Sequence, residues 1–203
     1  MNIDFDTGNI NLPLIRIYEA SFYNNYIVTQ IDFSFLNNSY QVYSGGAPYY
    51  NPGFNILTRF GALDLFENYR ITGGFRFAGD FDSNEYLLSV ENLKGTFDKQ
   101  LIYHRQSIES YNDSSYFKTI TNSIYLSYAK PISPVLALKA TLTYRYDQHN
   151  IMATDMNTLD YKNSSQHWAG LKGEVIYDNT RKRSINIYFG TRFKVFGEYY
   201  REL

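Results

Sequence analysis

The sequence predicts an all-β fold: an antiparallel up-and-down transmembrane β-barrel of about eight or nine strands. Three observations predict it. Apolar and polar residues alternate with period two over long stretches. The composition suits pleated, half-buried surfaces, with 21 Tyr and 15 Phe against 5 Pro and 13 Gly in 203 residues. No stretch comes near the ~20 continuous apolar residues that a membrane helix needs.

The strands follow in order. In 26–36, Ile27, Ile31, Phe33 and Phe35 share one face with Thr29, while Gln30, Asp32 and Ser34 share the other. Weaker strands are read at 54–65, 84–93, 97–107 and 116–129. In 69–78, Ile71, Phe75 and Phe77 oppose Arg70, Thr72 and Arg76. In 135–146, Leu136, Leu138, Ala140, Leu142, Tyr144 and Tyr146 oppose Lys139, Thr141, Thr143 and Arg145. In 168–178, Leu171, Val175 and Tyr177 oppose Lys172, Glu174 and Asp178. Over 185–199 the apolar parity changes, from Ile185, Ile187 and Phe189 to Phe193, Val195 and Tyr199, which places a bulge or break near Gly190-Thr191. Helical periodicity would scatter each of these sets around a circumference.

Gly79–Asn84 and Lys130–Pro134 are read as short turns, and 37–53, 108–116 and 147–166 as longer polar loops. The expectation is short turns at one end and long loops at the other. No linker or fixed-period repeat divides the chain, so 1–203 is read as a single domain.

A soluble sandwich buries an alternating face as well. Strand length, Tyr near strand ends (Tyr26, Tyr86, Tyr128, Tyr144, Tyr146, Tyr199, Tyr200) and mid-strand charges (Arg76, Lys139, Glu174, Lys194) favour a barrel in lipid. The energetic expectation is specific. Leu136, Leu138, Ala140, Leu142 and Tyr144 should face lipid, and Lys139, Thr141, Thr143 and Arg145 should face inward, because a basic side chain at the lipid midplane costs about 2–4 kcal/mol. A soluble barrel reverses the assignment, and its arguments are the missing signal-peptide pattern and a mean hydropathy of −0.40.

Charge and composition exclude several functions. With 19 basic and 20 acidic residues, a net charge of −1 offers no broad field for nucleic acid or anionic lipid. The absence of cysteine removes disulfides, thiolate metal sites and cysteine nucleophiles. His104, His149 and His167 show no metal-ligand spacing, and no cofactor is expected. His104, Ser107 and Glu109 lie close along the chain, but His104 and Ser107 have opposite strand parity, which argues against a hydrolase triad. Gly73-Gly74 has no strand–loop–helix context for a phosphate loop, and glycines there are expected to relieve crowding in the barrel. Asp178, Arg181, Lys182 and Arg183 read as a charged turn, with Asp178 free to pair with Arg192 or Arg181. No enzymatic activity is expected.

Residues 173–200, GEVIYDNTRKRSINIYFGTRFKVFGEYY, carry a further signal. They resemble the strand–turn–strand signature of the bacterial surface antigen family, the BamA-type and TamA-type outer-membrane barrels. The matching positions are Tyr177, Asp178, Asn179, Thr180 and Arg181, then Gly190, Thr191 and Arg192, then Glu198, Tyr199 and Tyr200. The run 60–107 resembles earlier strands of the branch in which a TolB-like propeller precedes the barrel.

The resemblance implies the outer membrane of a diderm bacterium and a part in protein insertion or translocation. It also implies lipid and client outer-membrane proteins, or the remainder of the barrel, as partners. The family's periplasmic domains and its Arg-Gly-Phe/Tyr loop motif are not recognisable here, and family barrels have sixteen strands, so the chain looks like the first half of one. Residues 1–20 lack a signal-peptide pattern, which implies a removed signal or a fragment. A small closed barrel acting as a passive pore or anchor, and a soluble β-barrel binding module, stand as alternatives.

Overall fold

The chain folds into β-strands joined as a meander. A computed structural model describes residues 20–32, 55–78, 83–112, 115–152, 162–185 and 187–203. The strands are β1 (Phe22–Asp32), β2 (Asn55–Asp64), β3 (Tyr69–Ala78), β4 (Asn84–Asn92), β5 (Asp98–Asn112) and β6 (Ser115–Ser133). Then come β7 (Leu136–Met152), β8 (Ser164–Asp178), β9 (Arg181–Ser184), β10 (Ile187–Phe189) and β11 (Arg192–Glu202). Nine form one antiparallel sheet in the order β1-β2-β3-β4-β5-β6-β7-β8-β11, and β9 and β10 form a separate hairpin. The expectation of an all-β, antiparallel up-and-down arrangement of about eight or nine strands is met by this sheet.

The expected closed barrel is not what the described residues form. The sheet is open: β1 is paired only to β2, and β11 only to β8. A topological fact accompanies this. Nine strands in antiparallel succession leave β1 and β11 running in the same direction, so joining them directly would make a parallel seam.

Three local readings are corrected. Lys130–Pro134 is not a turn throughout, since β6 continues to Ser133 with a register shift between Pro131 and Ser133, and only Pro134-Val135 turn the chain. A bulge is one of the few places a strand admits proline. The expected loops 108–116 and 147–166 are shortened from both sides, because β5 reaches Asn112, β6 starts at Ser115, β7 reaches Met152 and β8 starts at Ser164; residues 113–114 and 153–161 lie outside the described residues. Both faces are polar there, as in Gln148-His149-Asn150, so no periodicity marks the strand although the backbone ladder persists. The 185–199 segment is two strands, and the parity change at Gly190-Thr191 is a break at which the chain leaves one sheet for the other.

The ends of the sheet are also sorted differently. Alternation of strand direction places connections 65–68, 93–97, 134–135 and 179–191 at one end, called here the turn end. Those at 33–54, 79–83, 113–114 and 153–163 lie at the other. Gly79–Asn84, expected to share an end with Lys130–Pro134, joins the strands at the opposite one. Its residues 79–82, like 33–36 of the first expected strand and the 37–53 loop, lie outside the described residues.

Candidate functional surface

Directly paired residues of an antiparallel sheet point to the same face, so the register turns the sequence into rows. One row runs Ala62, Ile71, Val90, Leu101, Leu126, Leu142, Leu171, Tyr199 across eight strands, with an apolar residue at every position. The adjacent row, on the opposite face, runs Arg70, Glu91, Gln100, Ser127, Thr141, Lys172, Glu198. Every residue in it is polar. The sheet is two-faced over nearly its whole width.

The burial is inverted relative to a protein core. Leu142 is 53% exposed and Leu171 56%, while Thr141, one residue from Leu142, is 4% exposed. Leu88, Leu101, Ile124, Leu138 and Val175 are likewise exposed. Arg76, Glu85, Ser89, Ser123, Ser127, Thr143 and Lys172 are buried. Of the sets expected to face opposite ways, Leu138, Ala140, Leu142 and Tyr144 lie exposed, and Thr141 and Thr143 lie buried. Leu136, Lys139 and Arg145 are intermediate. Water is a poor solvent for so large an apolar face. Monomeric soluble proteins rarely expose contiguous apolar patches beyond a few hundred Å².

The sheltered face is held by ionic and hydrogen-bonded links between strands. Arg76 Nε donates to Glu85 Oε2 at 3.1 Å, and His104 Nε2 stands 2.6 Å from Glu85 Oε1, so three strands are tied through one carboxylate. Gln100 donates to Glu91 (2.9 Å) and Ser89 (3.1 Å), and the Ser127 and Thr141 hydroxyls meet at 2.9 Å. Thr121 donates to Asp147 at 2.8 Å, and Arg145 pairs with the same carboxylate at 2.6 Å. At the β8–β11 border, Lys194 reaches Glu174 at 3.3 Å, and Lys172 lies 3.6 Å from Glu174 and 3.9 Å from Glu198. Buried charges in pairs like these avoid the penalty of isolation.

Aromatic rings fill the places where glycine leaves room. Tyr26 lies over Gly61, Phe60 over Gly73 and Tyr200 over Gly170, each pair directly opposed across two strands. A Cβ at any of the three glycines would overlap the ring. This is the physical use of Gly73, and it agrees with the relief of crowding expected of that glycine pair.

Of the terminal motif, Tyr177, Asp178, Asn179, Thr180, Gly190, Thr191 and Arg192 come together at the turn end. Asp178 accepts from the Thr180 hydroxyl (2.6 Å) and the Thr180 backbone N–H (3.0 Å), and Arg192 lies 3.3 Å from it. Those Thr180 hydrogen bonds, with the Arg192 guanidinium, hold the Asp178 carboxyl below the usual carboxylate range. Of the two partners open to Asp178, the structure has Arg192. Asn179 donates to the Tyr177 hydroxyl (3.1 Å) and accepts from the Thr191 N–H (2.6 Å), and the Tyr177 and Phe193 rings stack at 5.1 Å.

Gly190 has φ +119°, and a Cβ there would sit 2.8 Å from Asn179 atoms, so the break between β10 and β11 requires glycine. Arg181 pairs with Phe189 in the small hairpin. Glu198 and Tyr199 lie further along β11, on the polar and apolar rows.

The histidines are separate. His104 is in the Glu85 cluster, His149 bonds Thr119 at 3.1 Å, and His167 bonds the Tyr144 hydroxyl at 2.8 Å on the apolar-parity face. Ser107 and Glu109 are buried on the parity opposite to His104. Among the described residues no group of three potential metal ligands gathers.

No family model, curated protein or solved structure matches the chain.

Proposed function

We propose that this chain forms part of the lipid-spanning wall of a bacterial outer-membrane β-barrel that serves protein insertion or translocation, with no catalytic chemistry of its own. The inversion of the two faces carries the reading: the apolar row is exposed at Val90, Leu101, Leu142, Leu171 and Tyr199, and the polar row is buried at Ser127, Thr141 and Lys172. Lipid is the solvent for which that arrangement is stable, and a water-facing barrel or sandwich would have the leucines within.

The dimensions agree. From Leu136, opposite Tyr177, to Tyr146, opposite His167, β7 advances ten residues. That is about 33 Å of strand, or about 25 Å across the bilayer at a tilt of 35–45°. Aromatic residues stand at both limits, Tyr177 with Phe193 at one and Tyr144, Tyr146 and His167 at the other.

The translocation part of the reading rests on the resemblance of residues 173–200 and on the two sheet edges that are unpaired among the described residues, which can accept a strand by main-chain hydrogen bonding. A photo-crosslinking side chain placed at Thr29 on β1 tests it. In the refolded, lipid-embedded protein it should capture an unfolded outer-membrane client. Failure to capture any, alongside normal insertion into lipid, would reduce the chain to a passive wall.

A further inference from the structure

The turn end carries a feature that a barrel wall does not require. Instead of a tight turn between β8 and β11, the chain puts out the β9–β10 hairpin, every described side chain of which is exposed. Three consecutive cations, Arg181, Lys182 and Arg183, form β9 with Ser184. Ile185 at the tip is 80% exposed, and Ile187, Tyr188 and Phe189 follow it, all more than half exposed. Lys182 is registered against Tyr188 and Arg181 against Phe189, so each face of the hairpin couples a cation to an aromatic ring.

The neighbouring connections at the same end share this chemistry. Leu65 and Phe66 in the 65–68 turn are exposed, as are Ile132 and Val135 around the β6–β7 turn. Lys130 Nζ lies 5.3 Å from the centroid of the exposed Phe97 ring. The carboxylate next to the cations, Asp178, is engaged by Thr180 and Arg192 rather than by the hairpin's own side chains.

We infer that the β9–β10 hairpin docks onto anionic phospholipid headgroups, with Arg181, Lys182 and Arg183 on the phosphates and Ile185, Ile187 and Phe189 in the acyl boundary. Charge complementarity and continuity select this occupant. The hairpin follows directly on the apolar face at Tyr177, and apolar-plus-cationic side chains match the headgroup zone, where one side is apolar and the other anionic and wet. A chain with a net charge of −1 has no general attraction to such a surface, so any attraction is local to these cations. Each basic residue near an anionic bilayer contributes roughly fivefold to partition, and salt weakens it. The inference rests on the membrane reading, and its test keeps the two apart.

Cysteine is absent from the chain, so single labels are unambiguous. An environment-sensitive fluorophore is attached in separate proteins at Ser184→Cys, on the hairpin, and at Leu142→Cys, in the apolar row. Each is reconstituted in vesicles of phosphatidylcholine alone and of phosphatidylcholine with phosphatidylglycerol. The hairpin label should become several-fold less accessible to aqueous acrylamide when phosphatidylglycerol is present. High salt should reverse this, and the Arg181→Gln, Lys182→Gln, Arg183→Gln variant should abolish it.

Equal accessibility in both vesicles, or protection that persists in the neutralised variant, overturns the inference. The Leu142→Cys label reports on the membrane reading separately, through quenching by nitroxides on the acyl chains. Quenching there with an indifferent hairpin sinks the inference alone, and a responsive hairpin without that quenching sinks the spanning reading alone.

Discussion

At the residue scale the account turns on polar side chains that are buried because they are paired. Glu85 is fully buried between Arg76 and His104. Removing it leaves a buried guanidinium without this counter-charge, for which the usual loss is about 3–5 kcal/mol. Glu85→Ala should therefore lower the urea midpoint of the lipid-embedded protein strongly, whereas Arg70→Ala, at a part-exposed pair with Glu91, should cost about 1 kcal/mol or less.

Asp178 gives the pH dependence. It stands at the turn, outside the apolar band, and its folded-state pKa is depressed by the Thr180 hydrogen bonds and by Arg192. Such a group adds stability above its unfolded pKa, about 4, and loses it as pH falls through the lower folded value. The unfolding midpoints of the natural protein and Asp178→Asn should differ at neutral pH and converge in strong acid. Parallel pH profiles would contradict the pairing. Asp178 was singled out in the sequence with two partners open, and register chose Arg192, its direct cross-strand neighbour. The Arg76–Glu85–His104 cluster was not foreseen, because it joins strands through residues 9 and 19 positions apart, and only the register brings them together.

At the scale of the strand, alternation was the legible signal and polarity on both faces was where it stopped. Strands 69–78 and 84–93 were readable to within a residue because Ile71, Phe75 and Phe77, or Leu88 and Val90, mark one parity. The far ends of β5 to β8 read as loops in the sequence, since Ser110–Asn112 and Gln148–Asn150 offer no apolar parity, and Pro131 reads as a turn although it sits at a bulge.

The same alternation yields a paired prediction on β7. Leu142→Arg places a cation on the exposed apolar row and should cost about 2–4 kcal/mol of folding free energy in lipid. Thr143→Arg places it on the polar face and should cost clearly less, despite the lower exposure of Thr143. For a water-soluble fold the order reverses, and denaturant titration of the two variants distinguishes the cases.

At the scale of the whole molecule, the nine-stranded sheet of the described residues, with its two open edges, sets a parity rule. Because β1 and β11 point the same way, antiparallel closure needs an odd number of additional strands, and a sixteen-stranded barrel supplies one such number. A cysteine pair at Thr29 and Val195 should therefore give no direct disulfide between β1 and β11 on oxidation in lipid. An efficient one would mean that the nine strands close on themselves with a parallel seam.

Whether the leucine face meets lipid decides between a membrane wall and a soluble fold. It is tested most directly by nitroxide labels placed singly at Leu138, Thr141, Leu142, Thr143, Leu171 and Lys172 of the bilayer-embedded protein, read for collision with oxygen and with a water-soluble nickel chelate. The account predicts high oxygen and low nickel accessibility at Leu138, Leu142 and Leu171, and the reverse balance at Thr141, Thr143 and Lys172. The opposite pattern, or a protein that stays monomeric and folded in water with the leucine labels immobilised in a core, would contradict it.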